Sequence, residues 1–225
     1  MKRVLLPLSA CLFLTFVLSD HAAARKKKKP KPPKTRIAEC GELIFEDDFD
    51  GKQLDTGWTG AIGGAKSAKG KLQWSVNTQE VNPPGIVRKL PLRDFVLEAV
   101  VAMPAGTEPS CWAVQFRNTE KGFLSPLMSL SQRSQISIYA NPPGGKVGNA
   151  SLQLAPVRKP IYVFVFERVG PDICLQVNRD VVRVQVPELP EEFAELMLQL
   201  KGKTTVAVDY IRVWHAKPRK GKRGR

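Results

Sequence analysis

The chain has 225 residues, 43% of them hydrophobic, which is enough apolar side chain for one sizeable core and excludes a disordered chain. Its formal net charge of +14 resembles a nucleic-acid signature until it is divided along the sequence. Arg25–Arg36 (RKKKKPKPPKTR) carries eight positive charges, Lys217–Arg225 (KPRKGKRGR) carries six, and residues 37–216 net −1, so no basic folded face for specific nucleic-acid recognition is expected.

Met1-Lys2-Arg3, the mostly apolar run Val4–Leu18 and the small residues Ala22-Ala23-Ala24 have the form of an export signal over residues 1–24, cleaved near Ala24. A lipoprotein-like box, Leu8-Ser9-Ala10-Cys11, lies inside the run, but apolar residues continue past Cys11. No other stretch approaches the ~18 apolar residues of a membrane span, so the expected product is secreted or periplasmic. Residues 25–37 follow as a basic, proline-rich linker, extended and solvated, and residues 217–225 form a second basic tail. Such segments attract acidic polymers with salt-dependent, weakly selective affinity. The alternative is a solubilising linker and a frayed end.

The domain between them, residues 38–216, opens on Phe45–Trp58, FEDDFDGKQLDTGW, where Glu46, Asp48 and Asp50 alternate. Residues two apart on a strand lie roughly 6.6 Å apart on one face, near the ~5–5.5 Å between the two carboxyls of a retaining glycosidase. The other reading is a first strand running into an acidic turn at Asp50-Gly51. Further strands are predicted over Lys71–Val76, Gly85–Leu90, Asp94–Met103, Cys111–Asn118, Leu127–Gln132, Gln135–Ala140, Ser151–Ala155, Ile161–Val169, Ile173–Val177, Val182–Val186, Glu195–Leu200 and Thr205–Trp214. β-Branched and aromatic residues fill them, and Gly, Pro, Asn and Asp separate them. The one helix competitor is Pro190–Leu200 (PEEFAELMLQL), whose start resembles a helix N-terminus. So many strands in one domain predict an all-β fold, a β-sandwich.

Alternation divides the faces. Trp112, Val114 and Phe116 point inward and Cys111, Gln115 and Arg117 outward. Ile173, Leu175 and Val177 oppose Cys174, Gln176 and Asn178; Phe95, Leu97 and Ala99 oppose Glu98; Ile136 and Ile138 oppose Gln135, Ser137 and Tyr139. If these strands share a sheet, Glu98, Gln115, Arg117, Gln135, Ser137, Tyr139 and Gln176 form one polar face. It would offer planar hydrogen-bonding groups for sugar hydroxyls and a ring to stack on a pyranose. An ordinary solvated sheet face alternates in the same way.

The landmarks IFEDDFDGKQLDTGW, DFVLEAVVAM…CWAVQFRN, VFERVGPDICLQVNRDVV and VDYIRVW resemble the concanavalin A-like lectin/glucanase superfamily. Within it they are most similar to the 3-keto-disaccharide hydrolase-like domains of secreted bacterial proteins. The resemblance implies a jelly-roll β-sandwich of two antiparallel sheets with a concave, carbohydrate-binding face. In laminarinase-type members the catalytic Glu-x-Asp row lies on a strand in the middle of the chain. Here the acidic run precedes an Asp50-Gly51 turn, and Leu127–Tyr139 (LMSLSQRSQISIY) holds no acid, so the expectation is a lectin-like module that binds glycan without cleaving it. As a glycoside hydrolase it would rely on Glu98 as its carboxylate and Arg117 to position substrate. A third alternative is an interaction module that works through its tails. The resemblance also implies a structural calcium shared by Asp48 and Asp209, with no cofactor required. Asn178, where the family has an Asn-Gly turn, implies a turn.

Three cysteines lie beyond the leader: Cys40, Cys111 and Cys174. Export allows one disulfide, with all three pairings open. His215 is the only histidine there, which excludes histidine metal clusters and argues against a histidine-activated nucleophile. Asn149-Ala150-Ser151 is a glycosylation sequon by pattern. Oligomeric state is left open by the sequence.

Overall fold

The computed structural model describes residues 30–60, 63–78, 85–104, 109–118, 122–131, 133–155 and 160–219. The expected export signal, residues 25–29 of the first basic segment and residues 220–225 of the second lie outside these residues. Fourteen strands run in the order β1 (Ala38–Asp47), β2 (Trp58–Gly60), β3 (Ala65–Ser67), β4 (Leu72–Thr78), β5 (Gly85–Leu92), β6 (Phe95–Ala102), β7 (Ser110–Arg117), β8 (Phe123–Leu130), β9 (Gln135–Asn141), β10 (Gly148–Gln153), β11 (Ile161–Val169), β12 (Asp172–Val177), β13 (Asp180–Gln185) and β14 (Phe193–Pro218). All pairings are antiparallel. They build the expected jelly-roll sandwich.

One sheet, here sheet A, runs β3-β4-β14-β6-β11-β12-β13, with β1 also beside β14. The other, sheet B, runs β2-β5-β14-β7-β8-β9-β10. The 26-residue β14 belongs to both. Its first part, Phe193–Lys201, pairs with β5 and β7, and from Gly202 it pairs with β4, β6 and β1. The two strands expected there are therefore one strand that changes sheets. Gly202 sits at the change with φ +103°. A Cβ at that position would stand 2.6 Å from the Pro109 carbonyl oxygen and 2.9 Å from Ser110 Cα, so only glycine fits.

Of Pro190–Leu200, Phe193–Leu200 is strand and no part is helix. Leu196, Leu198 and Leu200 are fully buried at a spacing of two, a pattern that only an extended chain can place on one inner face. Carbonyls that a helix would have used are taken by Arg168, which donates to Pro190 O at 2.6 Å and Glu191 O at 3.0 Å as well as to Arg93 O at 2.7 Å. Burial lowers the pKa of this guanidinium, opposed by Asp94 and Glu191.

The core between the sheets follows the alternation. Trp112, Val114, Phe116, Phe95, Leu97, Ala99, Ile136, Ile138, Leu175 and Val177 are completely buried. Phe116 of sheet B stacks on Phe166 of sheet A at 5.4 Å and meets Phe95 at 4.5 Å, while Trp112 stands edge-on to Phe164 at 4.9 Å. Each such side chain contributes roughly 1.5–3 kcal/mol by leaving water.

At the N-terminal end, the buried carboxylate of Glu167 on β11 accepts the backbone amides of Arg36 (2.7 Å), Ile37 (2.8 Å) and Ala38 (2.9 Å). Arg36 and Ile37, read above as linker, are thus held by the fold. Likewise β14 continues through Lys217 and Pro218, two residues into the segment read as tail.

Replacing Gly202 by alanine is expected to cost at least ~2 kcal/mol, because a strained left-handed conformation is combined with a backbone clash. Urea unfolding measures it. A loss within experimental error would mean that β14 changes sheets without needing this glycine.

Candidate functional site

The structure gathers five of the seven predicted site residues and separates two. Gln115 and Arg117 on β7 share the outer face of sheet B with Gln135, Ser137 and Tyr139 on β9, across β8. Glu98 on β6 and Gln176 on β12 lie on the outer face of sheet A, on the other side of the sandwich. Alternation was right for each strand. It carries no information about which sheet a strand joins, and there the expected single face is corrected.

Two rows run across the outer face of sheet B. One contains Gly85, Gln199, Ala113, Leu127, Ser137 and Ser151 in successive register. The next runs Thr59, Val87, Met197 and Gln115 from one side and Ser125, Tyr139 and Asn149 from the other. At ~4.8 Å per strand, seven strands span roughly 29 Å. Paired residues of β7 and β8 skip Val114 and Gln115, opposite Pro126, which has no N–H to give.

Burial gives this face its shape. Ala113, Ser125 and Met197 are only 6% exposed, and Ser137 1%, although they point away from the core. Thr59 and Lys89 on one side, and Tyr139, Asn149 and Ser151 on the other, are exposed. We call this floor, buried along its middle and exposed at both sides, the trough. Both described rows are uncharged. Beside them, Arg117 pairs with Glu195 at 3.0 Å and donates to Met197 Sδ at 3.4 Å, and Glu195 also faces Lys89 in register. Glu195 is the only carboxylate that the described sheet B strands present outward. On the floor, the Ser137 hydroxyl is buried without a hydrogen-bond partner.

The outer face of sheet A is built differently. Glu98 is 9% exposed; burial raises its pKa, opposed by Arg212 and a hydrogen bond from the Tyr210 hydroxyl. Arg212 also binds Glu46 at 2.8 Å and lies over the Tyr210 ring at 3.9 Å. Gln176 accepts from Arg36 Nε at 3.0 Å and donates to Asn178 O at 2.8 Å. Its amide is engaged in holding the fold. Asn178 adopts φ 55° in the β12–β13 turn and pins it to β11 through Val163 N, 2.9 Å from Asn178 Oδ1, which agrees with a turn role.

Two acids of the opening are held structurally, Glu46 by Arg212 and Asp47 by the segment that follows it. Asp47, which lay outside the alternating row, accepts from Trp58 Nε1 at 2.7 Å and from Phe49 N at 2.8 Å. The Ser67 hydroxyl closes the following turn by donating to the Phe49 and Gly51 carbonyls. Of the two residues expected to share calcium, Asp209 pairs with Lys71, whose Nζ lies 2.6 Å from Asp209 Oδ1. Among the described residues no three His, Cys, Asp or Glu side chains gather into a metal site. All three cysteines are free thiols. Cys111 lies on sheet B, while Cys40 and Cys174 lie on the sheet A side near Glu167, so none of the three pairings left open is formed.

Sequence reasoning missed Ser125, Asn149, Met197 and Glu195 in the trough. Pro126 hid the start of β8, since a proline argues against a strand interior, whereas Glu195–Leu200 was expected as a strand without an assigned sheet face.

No protein-family model matches the chain, and no curated protein matches its sequence. Solved structures do resemble it. The CBM2 module of the evolved Dit of Lactobacillus casei BL23 phage J-1 superposes with TM-score 0.64 at 12% identity, covering 83% of this chain and 100% of the module. A laminarinase from Rhodothermus marinus gives 0.62 at 14% identity, covering 81% and 100%. An endo-β-1,3-glucanase from Pyrococcus furiosus gives 0.62 at 14% identity, covering 79% and 95%. At such identities the likeness establishes the fold alone, a jelly-roll β-sandwich.

Two outcomes follow from the electrostatics. Because the folded pKa of Glu98 is raised, its stabilising contribution is present at low pH and lost as pH rises through that pKa. Glu98→Gln should therefore raise the urea midpoint at pH 7 and leave it unchanged below about pH 4; a lower midpoint at pH 7 would show that the Arg212 attraction wins. Burial pushes Cys40, Cys111 and Cys174 up to about 11, so alkylation of the native chain at pH 8 should run roughly a hundredfold slower than in denaturant.

Proposed function

We propose that the protein is an exported carbohydrate-binding module that holds a neutral glycan in the trough of sheet B without cleaving it. The observation that carries this reading is the composition of the two trough rows. Amides and hydroxyls of Gln115, Ser125, Ser137 and Asn149 stand beside the exposed ring of Tyr139, and the rows hold no charge. Neutral sugars need such planar donors and acceptors, with an aromatic face for the ring. The named neighbours, a carbohydrate-binding module and two glucanases, support a glycan as the ligand class.

Binding is favoured over hydrolysis because classical glycoside hydrolysis uses two carboxyl groups. The described strands of the trough offer Glu195, already paired with Arg117, and Glu98 faces the other side of the sandwich. The superfamily likeness extends, in this proposal, to the 3-keto-disaccharide hydrolase-like domains, with their activity lost. The glycoside hydrolase alternative is favoured by the glucanase neighbours and would show itself as release of reducing ends. The basic segments would tether the exported protein to acidic envelope polymers.

A panel of neutral and acidic polysaccharides offered to the full chain tests the reading. One neutral glycan should bind with little change between about 50 and 200 mM salt, since no ion pairs are exchanged. Tyr139→Ala should weaken that binding about tenfold, ~1.4 kcal/mol, and leave the urea midpoint unchanged, because the ring is 38% exposed outside the core. Binding of acidic polymers alone, abolished by salt, would overturn it.

A further inference from the structure

Among the described residues every phenylalanine except one is buried, and the exception is Phe123, half exposed at the start of β8. Its direction is fixed by the strand: Leu124, Met128 and Leu130 enter the core, so Phe123, Ser125 and Leu127 face outward. Register sets Phe123 between Arg117 of β7 and Asn141 of β9. It therefore stands on the outer face of sheet B, one row along from Ser125 and Tyr139. Because Ser125 is the register partner of Tyr139, Phe123 and Tyr139 are diagonal neighbours, roughly 7–8 Å apart. Other rings of this protein pack on one another or under a guanidinium; these two do neither among the described residues. A lone exposed apolar side chain is ordinary. Two unstacked rings side by side instead form a flat apolar surface that the fold leaves uncovered.

We infer that Phe123 is a second stacking ring of the trough and that it reads, with Tyr139, two sugars of one chain, so that the ligand is an oligosaccharide segment of at least two residues. The inference rests on the glycan reading above. A pyranose lies with its C–H face on an aromatic ring and directs its hydroxyls sideways, to polar groups around it. One sugar on Tyr139 does not extend over a ring roughly 7–8 Å away, so Phe123 is reached only by a further residue of the same chain. The polar groups beside Phe123 are distinct from those beside Tyr139. Arg117, held by Glu195 at 3.0 Å, lies on one side and the half-exposed Asn141 on the other. A guanidinium has five N–H donors, and the contacts of Arg117 to Glu195 and to the Met197 sulfur leave others for sugar hydroxyls.

Calorimetry of the full chain with neutral gluco-oligosaccharides of one to six residues tests this, against Phe123→Leu, which keeps apolar bulk without a flat face, and Phe123→Tyr, which keeps the face. The readout is the gain in affinity from the monosaccharide to the longer oligomers. Being a ratio, it is not moved by partial unfolding of a variant. The unsubstituted chain should gain at least about tenfold, Phe123→Leu should abolish the gain, and Phe123→Tyr should restore it. A monosaccharide bound as tightly as the hexamer, or a Phe123→Leu chain that keeps the full gain, would overturn the second ring while leaving the glycan reading intact. No binding of any neutral sugar by the unsubstituted chain would remove that reading and this inference together.

Discussion

Everything in this fold depends on one strand serving two sheets. β14 pairs with β5 and β7 before Gly202 and with β4, β6 and β1 after it, so the sandwich has a covalent and hydrogen-bonded corner that neither sheet could supply alone. The turn works because the position has no Cβ, with Pro109 and Ser110 packed against the space one would fill. Distances in the aromatic core follow from that corner: Phe116 and Phe193 come from sheet B, Phe95 and Phe166 from sheet A, and they meet at 4.5–6.1 Å. Because β14 also pairs with β7, the same strand delivers Met197 and Glu195 to the trough beside Gln115 and Arg117.

The two outer faces are then put to different uses. On sheet A the face is closed by the chain itself: Ala38, Val96, Val165 and Trp214 form a small apolar cluster under the N-terminal segment, and Glu167 takes the amides above it. Its polar groups, among them Glu98, Arg212, Tyr210 and Gln176, are engaged with one another and with Arg36. Sheet B carries no such cover on its described residues, and its two central rows are uncharged. On the described outer face of sheet B, charge lies beside those two rows, at the Arg117–Glu195 pair, Lys89 and Lys201.

Much of this was legible in the sequence where physics is local. Alternation named the inward residues of β6, β7, β9 and β12 correctly, since a period of two admits one assignment per strand. The acidic opening was also legible as scaffold, although the residue that matters, Asp47, stood between those that drew attention, and only the Trp58 indole shows its role. What could not be read was non-local. Glu98 and Gln115 look alike in their strands, and only the pairing of β6 with β11 and of β7 with β8 assigns them to opposite sides. A sheet-crossing strand has no local signature beyond a lone glycine, so β14 was divided at Gly202. The partner of Asp209 in the closing strand, Lys71, is likewise far away in sequence.

Amide chemical-shift mapping of the full chain titrated with neutral glucan oligosaccharides tests the trough most directly. Shifts centred on Gln115, Ser125, Ser137 and Tyr139, with sheet A silent, are the result expected if the face recognises sugar. Shifts confined to the neighbourhood of Glu98 and Arg212, or no shifts for any neutral sugar, would contradict a glycan site on sheet B.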